Sequence, residues 1–169
     1  MRILNIGCGN KLVPAGEGDI VVNHDRVKHR PEIDVVWDLN DLRWPWPDNS
    51  FDSIVACAVL EHLRITLIES LGECWRILAP GGRVRVKVPW WRADAAYQDC
   101  THYWVFSTGV FDQFDPTTKR GLQYQFYEGW RPWRIVKSAH LNPEHTSVIC
   151  TLEVRKPWPE VGPAGGEGR

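Results

Sequence analysis

A run of about 18 apolar residues, the length a membrane-spanning helix needs, occurs nowhere in the 169-residue sequence. The opening Met1-Arg-Ile-Leu-Asn-Ile6 has no basic leader followed by an apolar stretch, so no secretory signal is expected and the cytoplasm is the expected compartment. The five cysteines are odd in number, lie apart at 8, 57, 74, 100 and 150, and never form a CxxC pair. That excludes a disulfide framework and a zinc knuckle, and leaves reduced, mostly buried thiols. Charge of one sign is also missing: 20 basic side chains nearly cancel 21 acidic ones, and no like-charge run occurs. A polyanion such as nucleic acid is therefore a disfavoured partner, and a small, uncharged or mixed-charge substrate suits the chain better. The sequence has no internal repeat.

With 43% hydrophobic residues, the chain is long enough for one domain with a sizeable core and too short for two. Short apolar runs rich in β-branched residues fall at 3–6, 20–22, 35–37, 53–56 and 83–88, separated by turn or helix signals. Strands buried on both faces of a parallel sheet read this way, with crossovers covering the faces. The clearest helix carries Ile68, Leu71, Trp75 and Leu78 along one face, with Thr66 and Glu69 as a capping box and Ala-Pro-Gly-Gly at 79–82 as its stop. Pro14, Gly16 and Gly18 leave little room for a first crossover helix. Two late strands, 134–139 and 147–154, joined by a turn at Asn142-Pro143, are expected to form an antiparallel hairpin at the sheet edge. The domain is expected over 1–156, and the Pro- and Gly-rich tail at 157–169 is expected to be disordered.

Chemistry concentrates where these strands end. Asn5-Ile-Gly7-Cys8-Gly9-Asn10 runs a strand straight into a glycine turn, which lets a ligand approach the backbone at the carboxyl edge of a parallel sheet. Position 12 is Leu, so the third glycine of a dinucleotide fingerprint is absent and a pyrophosphate cofactor is disfavoured. Asp25 ends the second apolar run, where a carboxylate can accept hydrogen bonds from both hydroxyls of a ribose; a turn residue is the plainer alternative. Asp38 ends the third run, although Asp-Leu-Asn-Asp also suits a turn.

In four blocks the chain resembles the class I S-adenosylmethionine-dependent methyltransferases, in particular the small-molecule-type branch with a bare core domain. The blocks are NIGCGN at 5–10, VVNHD at 21–25, WDLNDLRWPWPDNSFDSIVACAVLEHL at 37–63 and ECWRILAPGGRVRVKVP at 73–89. The last two are similar to that branch's LPWPDNSFD…EHL and RVLKPGG patterns, and the likeness extends over about residues 2–155. The resemblance implies a Rossmann-like three-layer sandwich whose mainly parallel seven-stranded sheet has an antiparallel last strand. It implies S-adenosyl-L-methionine as cofactor, with Asn5, Cys8 and Asn10 in a turn whose Gly7 and Gly9 pass under the methionine. Asp25 would bind the ribose, Asp38 and Leu39 would flank the adenine, and Ala56, Cys57, Ala58, Val59 and Glu61 would line or support the methionine end.

On the acceptor side, residues 88–107 follow the fifth strand and should emerge at the same edge. They resemble the family's Asp-Pro-Thr-His block, with Cys100 in place of the proline. His102 is the candidate base, since an imidazole titrates near neutral pH, and Asp99 is the candidate to orient it. A histidine among aromatics also serves as a plain structural hydrogen-bond partner, and His62 is a second candidate on the same terms. Trp90, Trp91, Tyr97, Tyr103 and Trp104 can wall a planar acceptor, though core packing is expected of most. His24-Asp25, Cys100 with His102, and His140 with His145 supply ligand types without the spacing of a four-ligand zinc set, so no required metal is expected.

Three other functions are weighed. A base-methylating enzyme would show Asp/Asn-Pro-Pro-aromatic after the fourth strand, where this chain has Ala56-Cys-Ala-Val59, and no Pro-Cys pair marks Cys57 as a nucleophile. A protein acceptor is compatible with the charge balance. A non-catalytic module could present Trp44-Pro-Trp46-Pro as an interaction surface. The set Gly7, Gly9, Asp25 and Asp38 favours the enzyme, acting on a small-molecule acceptor as monomer or homodimer.

Overall fold

Four of the five residues of β1 (Arg2–Ile6) are buried, because the strand lies mid-sheet between two parallel neighbours. The computed structural model describes residues 1–157, so the tail expected to be disordered lies almost wholly outside the described residues. After β1 come β2 (Ile20–Asp25), β3 (Val35–Val36), β4 (Phe51–Cys57), α1 (Leu67–Ile77), β5 (Leu78–Pro89), α2 (Lys119–Tyr124), β6 (Trp133–Leu141) and β7 (Ser147–Val154). The sheet order is β3-β2-β1-β4-β5-β7-β6. β1 to β5 pair in parallel, and β7 runs antiparallel to both β5 and β6. Every expected strand is present, and the late hairpin turns on Asn142, whose Oδ1 accepts the Thr146 and Ser147 amides.

α1 begins with the expected reciprocal capping box between Thr66 and Glu69. Its buried positions are Ser70, Leu71, Cys74 and Ile77, whereas Ile68 and Trp75 are only half-buried and Leu78 already belongs to β5. Among the described residues no helix joins β1 to β2, β2 to β3 or β3 to β4, so the helical layers are thin there. All five cysteines are free; Cys8, Cys74 and Cys150 are buried, Cys57 is half-buried and Cys100 is exposed. No described helix is long and apolar enough to cross a membrane.

The segment between β3 and β4 corrects one expectation. Trp44 and Trp46 are only 2% and 8% exposed, so Trp44-Pro-Trp46-Pro is part of the core and not a docking surface. The Trp46 ring meets the edges of His24, Trp44 and Phe51, filling space beside the sheet. Arg76, at the last turn of α1, fixes the backbone of this segment. Its guanidinium forks onto the Glu73 carboxylate and donates to the Trp44 and Trp46 carbonyls and to Asp48, while Glu73 also accepts the Trp44 amide. Replacing Arg76 with Met keeps the apolar stem but strands Glu73, which is only 13% exposed. Denaturant unfolding of Arg76→Met should show a loss of about 3 kcal/mol, and a change below about 0.5 kcal/mol would show that the network adds nothing.

Candidate functional site

The carboxyl ends of β1, β2 and β4 meet at one edge, where the backbone after β1 is held by the side chains that end β2. The Gly7 amide donates to His24 Nδ1 (3.3 Å), the Cys8 amide to the His24 carbonyl (2.9 Å) and the Gly9 amide to Asp25 Oδ2 (2.8 Å). His24, 1% exposed, therefore carries its proton on Nε2, which donates to the Trp37 carbonyl at 3.0 Å. Burial lowers its pKa and keeps it neutral. Gly7 and Gly9 adopt φ of +57° and +50°. A Cβ on Gly7 would lie 2.4 Å from Val59 Cγ2, so glycine is required there by contact as well as conformation. At Gly9 a Cβ would meet no protein atom within 4 Å, because that side opens onto a cavity.

This cavity, about 390 Å³, is of a size to hold a small ligand. Of the expected cofactor residues, Gly7, Gly9, Asp25, Asp38, Leu39, Ala58 and Val59 line it. Asn5, Cys8, Asn10, Ala56, Cys57 and Glu61 do not. Asn5, Cys8 and Ala56 are buried behind the turn and strand, with Asn5 Nδ2 donating to Asn23 Oδ1 and the Lys11 carbonyl. Residues the sequence reading did not assign to it, among them Arg26, Trp37, Asn40, Leu63 and Thr101, complete the wall. Asp38 Oδ1 accepts the backbone and side-chain amides of Asn40 (2.9 and 2.8 Å), and these bonds keep its carboxyl below the usual range.

A second cavity of about 510 Å³ adjoins the first, and Ala58 and His62 line both. Its walls include Glu61, Pro89, Gln98, Asp99, Cys100 and His102. Glu61 is fully buried, and neither carboxylate oxygen has a hydrogen-bond partner. Burial pushes its pKa up to about 7. Burial lowers that of the neighbouring His62. The loop carrying His102 is pinned to this turn by the Tyr103 amide, which donates to the Glu61 carbonyl (2.8 Å), and by Trp104 Nε1, which donates to Leu63 O (2.7 Å).

Asp99 does not orient His102. Its Oδ1 accepts the Thr101 amide and hydroxyl (2.8 and 2.7 Å), bonds that lower its pKa, because both donors lie two residues away in the same turn. The Thr101 hydroxyl in turn meets His62 Nδ1 at 2.8 Å. His102 Nδ1 instead lies 3.1 Å from the Ala96 carbonyl. Trp91, Tyr97, Tyr103 and Trp104 are exposed, contrary to the core packing expected of most of them. Only Tyr103 of these lines either cavity.

Residues 17–86 match the family model described as a methyltransferase domain. No curated protein sequence matches the chain. Among solved structures, the YcgJ protein of Bacillus subtilis is similar at a TM-score of 0.60 and 12% identity, with 92% of each chain covered. A SAM-dependent methyltransferase of Aquifex aeolicus is similar at 0.59 and 16%, covering 91% of this chain and 82% of that one. One from Archaeoglobus fulgidus is similar at 0.57 and 17%, covering 90% and 85%. Residues 17–86 thus match a methyltransferase domain, and about nine-tenths of the chain shares the fold of SAM-dependent methyltransferases of known structure. The residues present fit the cofactor that such a domain implies. The turn after β1 is open beside Gly9, a carboxylate ends β2, and the cavity extends from there past Asp38.

The buried Glu61 makes the stability of the fold sensitive to pH. Its pKa is about 7 in the fold against an ordinary 4.5, so the folded state holds the extra proton between these values. Stability is therefore highest below about pH 4.5 with respect to this group and falls as pH rises to 7, by roughly 3 kcal/mol in all. Urea unfolding from pH 5 to 8 in metal-free buffer should show this decline, and Glu61→Gln should flatten it. An equal slope in both proteins would refute it.

Proposed function

We propose that the protein transfers a methyl group from S-adenosylmethionine to a small-molecule acceptor bound in the 510 Å³ cavity, acting in the cytoplasm. The observation that carries this reading is the pair of cavities sharing Ala58 and His62. One cavity presents the glycine turn with Asp25 and Asp38, the other the imidazoles and carboxylate after β4. The cofactor supplies an electrophilic methyl on a sulfonium. In-line displacement of that kind depends above all on holding the two reactants in register.

The roles follow from position. Asp25, fixed by the Gly9 and Val27 amides, retains lone pairs for ribose hydroxyls. Asp38, oriented by Asn40, and the buried Leu39 serve the adenine end. His102 lies on the acceptor side and positions the acceptor's nucleophilic atom, directly or through a group bound at the ring nitrogen that Ala96 leaves free. Asp99 acts at one remove, through Thr101 on His62. The chain's near-neutral charge supports a small acceptor over a nucleic acid.

Calorimetry with S-adenosylmethionine and S-adenosylhomocysteine, with NAD as control, tests the first half. Micromolar binding of the first two alone is expected. Asp25→Ala should weaken it by about 2 kcal/mol through loss of charge-assisted hydrogen bonds, and unchanged affinity in a folded variant would remove the ribose assignment. His102→Ala should leave cofactor affinity intact while lowering turnover about a hundredfold. Equal loss of both would move His102 out of the acceptor site.

A further inference from the structure

Glu61, His62 and His102 each place one ligand atom within 4.8 Å of the others, beside the acceptor cavity. Hydrogen bonding settles which nitrogens are free. The Ala96 carbonyl can only accept, so His102 Nδ1 carries the proton and its Nε2 keeps a lone pair. The Thr101 hydroxyl gives its own hydrogen to Asp99 and so accepts from His62 Nδ1, which leaves a lone pair on His62 Nε2 as well. Two imidazole lone pairs thus stand beside a fully buried carboxylate, neither of whose oxygens has a protein donor. Nothing in the described fold supplies the cation or donors this constellation lacks.

We propose that Glu61, His62 and His102 form a binding site for a divalent first-row transition metal ion. Two nitrogens and one carboxylate are the ligand set of catalytic zinc and of open facial sites; magnesium and calcium prefer oxygen ligands throughout. The surrounding bonds are those such a site uses. Each imidazole donates its remote N–H to a fixed acceptor, a backbone carbonyl for His102 and the Thr101–Asp99 pair for His62. The Tyr103 amide ties the His102 loop to Glu61, so ligands 41 residues apart in sequence are held together by backbone. Three protein ligands leave coordination positions open, and these face the cavity shared with Gln98 and Cys100. If the methyl-transfer reading above holds, those positions take an oxygen or nitrogen lone pair of the acceptor.

The test uses tag-free protein stripped with a chelator and titrated with Zn²⁺ by calorimetry and with Co²⁺ by visible absorption. One-to-one binding at micromolar affinity or tighter is expected, with Co²⁺ ligand-field bands and no comparable binding of Mg²⁺. His102→Ala and Glu61→Gln should each weaken Zn²⁺ at least about tenfold, whereas His140→Ala, on the late hairpin, should bind as wild type. Should either ligand variant fail to fold, Thr101→Val removes only the support of His62 and should still weaken binding about tenfold. Absence of one-to-one binding, a preference for Mg²⁺, or unchanged affinity in Thr101→Val and His102→Ala would overturn the site. Cofactor titration of the chelated protein separates the two readings. Cofactor binding without Zn²⁺ binding removes the ion alone, and Zn²⁺ binding without cofactor binding removes the methyl-transfer reading alone.

Discussion

Three consecutive amides, those of Gly7, Cys8 and Gly9, are held by two consecutive residues of the neighbouring strand, His24 and Asp25. Everything at the sheet edge depends on that clamp. Parallel pairing of β1 with β2 brings the two strand ends side by side, and left-handed backbone at both glycines turns their amides toward β2. The packing of Val59 against Gly7 then carries the constraint across to β4, whose exit forms the boundary of both cavities. His24 extends it the other way, to the Trp37 carbonyl beyond β3. A residue that sequence reading weighed only as a possible metal ligand is thus a neutral, buried bridge between three strand ends. Its signal in the sequence is slight: a histidine directly before the strand-end aspartate.

The edge beside the glycine turn was readable because it is local. A glycine turn, an aspartate closing an apolar run and a capping box each state their structure within a few residues, and the strand positions follow from continuous apolar stretches. Burial inside the turn was less readable, because Asn5 and Cys8 alternate with Gly7 and Gly9 and point away from the ligand face that the glycines expose. The indoles of Trp44 and Trp46 misled for a related reason. A Trp-Pro-Trp-Pro string looks solvent-facing when its neighbours are Arg and Asp, yet Arg76 and Glu73 from α1 cap its backbone and turn the rings inward.

The second cavity, beside His62 and His102, was not readable in this way. Asp99 and His102 share one loop, and proximity in sequence suggested a pair, whereas the turn geometry gives Asp99 to Thr101 and, through it, to His62. The contact between His62 and His102, ring centroids 4.6 Å apart, joins the turn after β4 to the loop after β5 and has no local signature. Adjacent parallel strands β4 and β5 deliver both segments to the same edge, so topology brings together what spacing does not show.

Two departures from ordinary local chemistry sit three residues apart at this junction. Ala58 holds φ of +56°, which its methyl group disfavours, and Glu61 is buried without a partner. The other non-glycine residues with positive φ, Asn49 and His145, belong to types that tolerate that conformation and lie outside both cavity walls. Ala58 has no such excuse in its side chain. Its amide donates to the Lys87 carbonyl of β5, so the sheet itself holds it there, and the chain is thereby redirected to place Glu61 and His62 behind and beside the opening. A fold that keeps both an unfavourable backbone and an unfavourable burial at the point where two cavities meet is maintaining that geometry against local preference. Such conflicts collect where a ligand completes the structure, and these two mark the exit of β4 as the point that the fold holds most firmly against local preference.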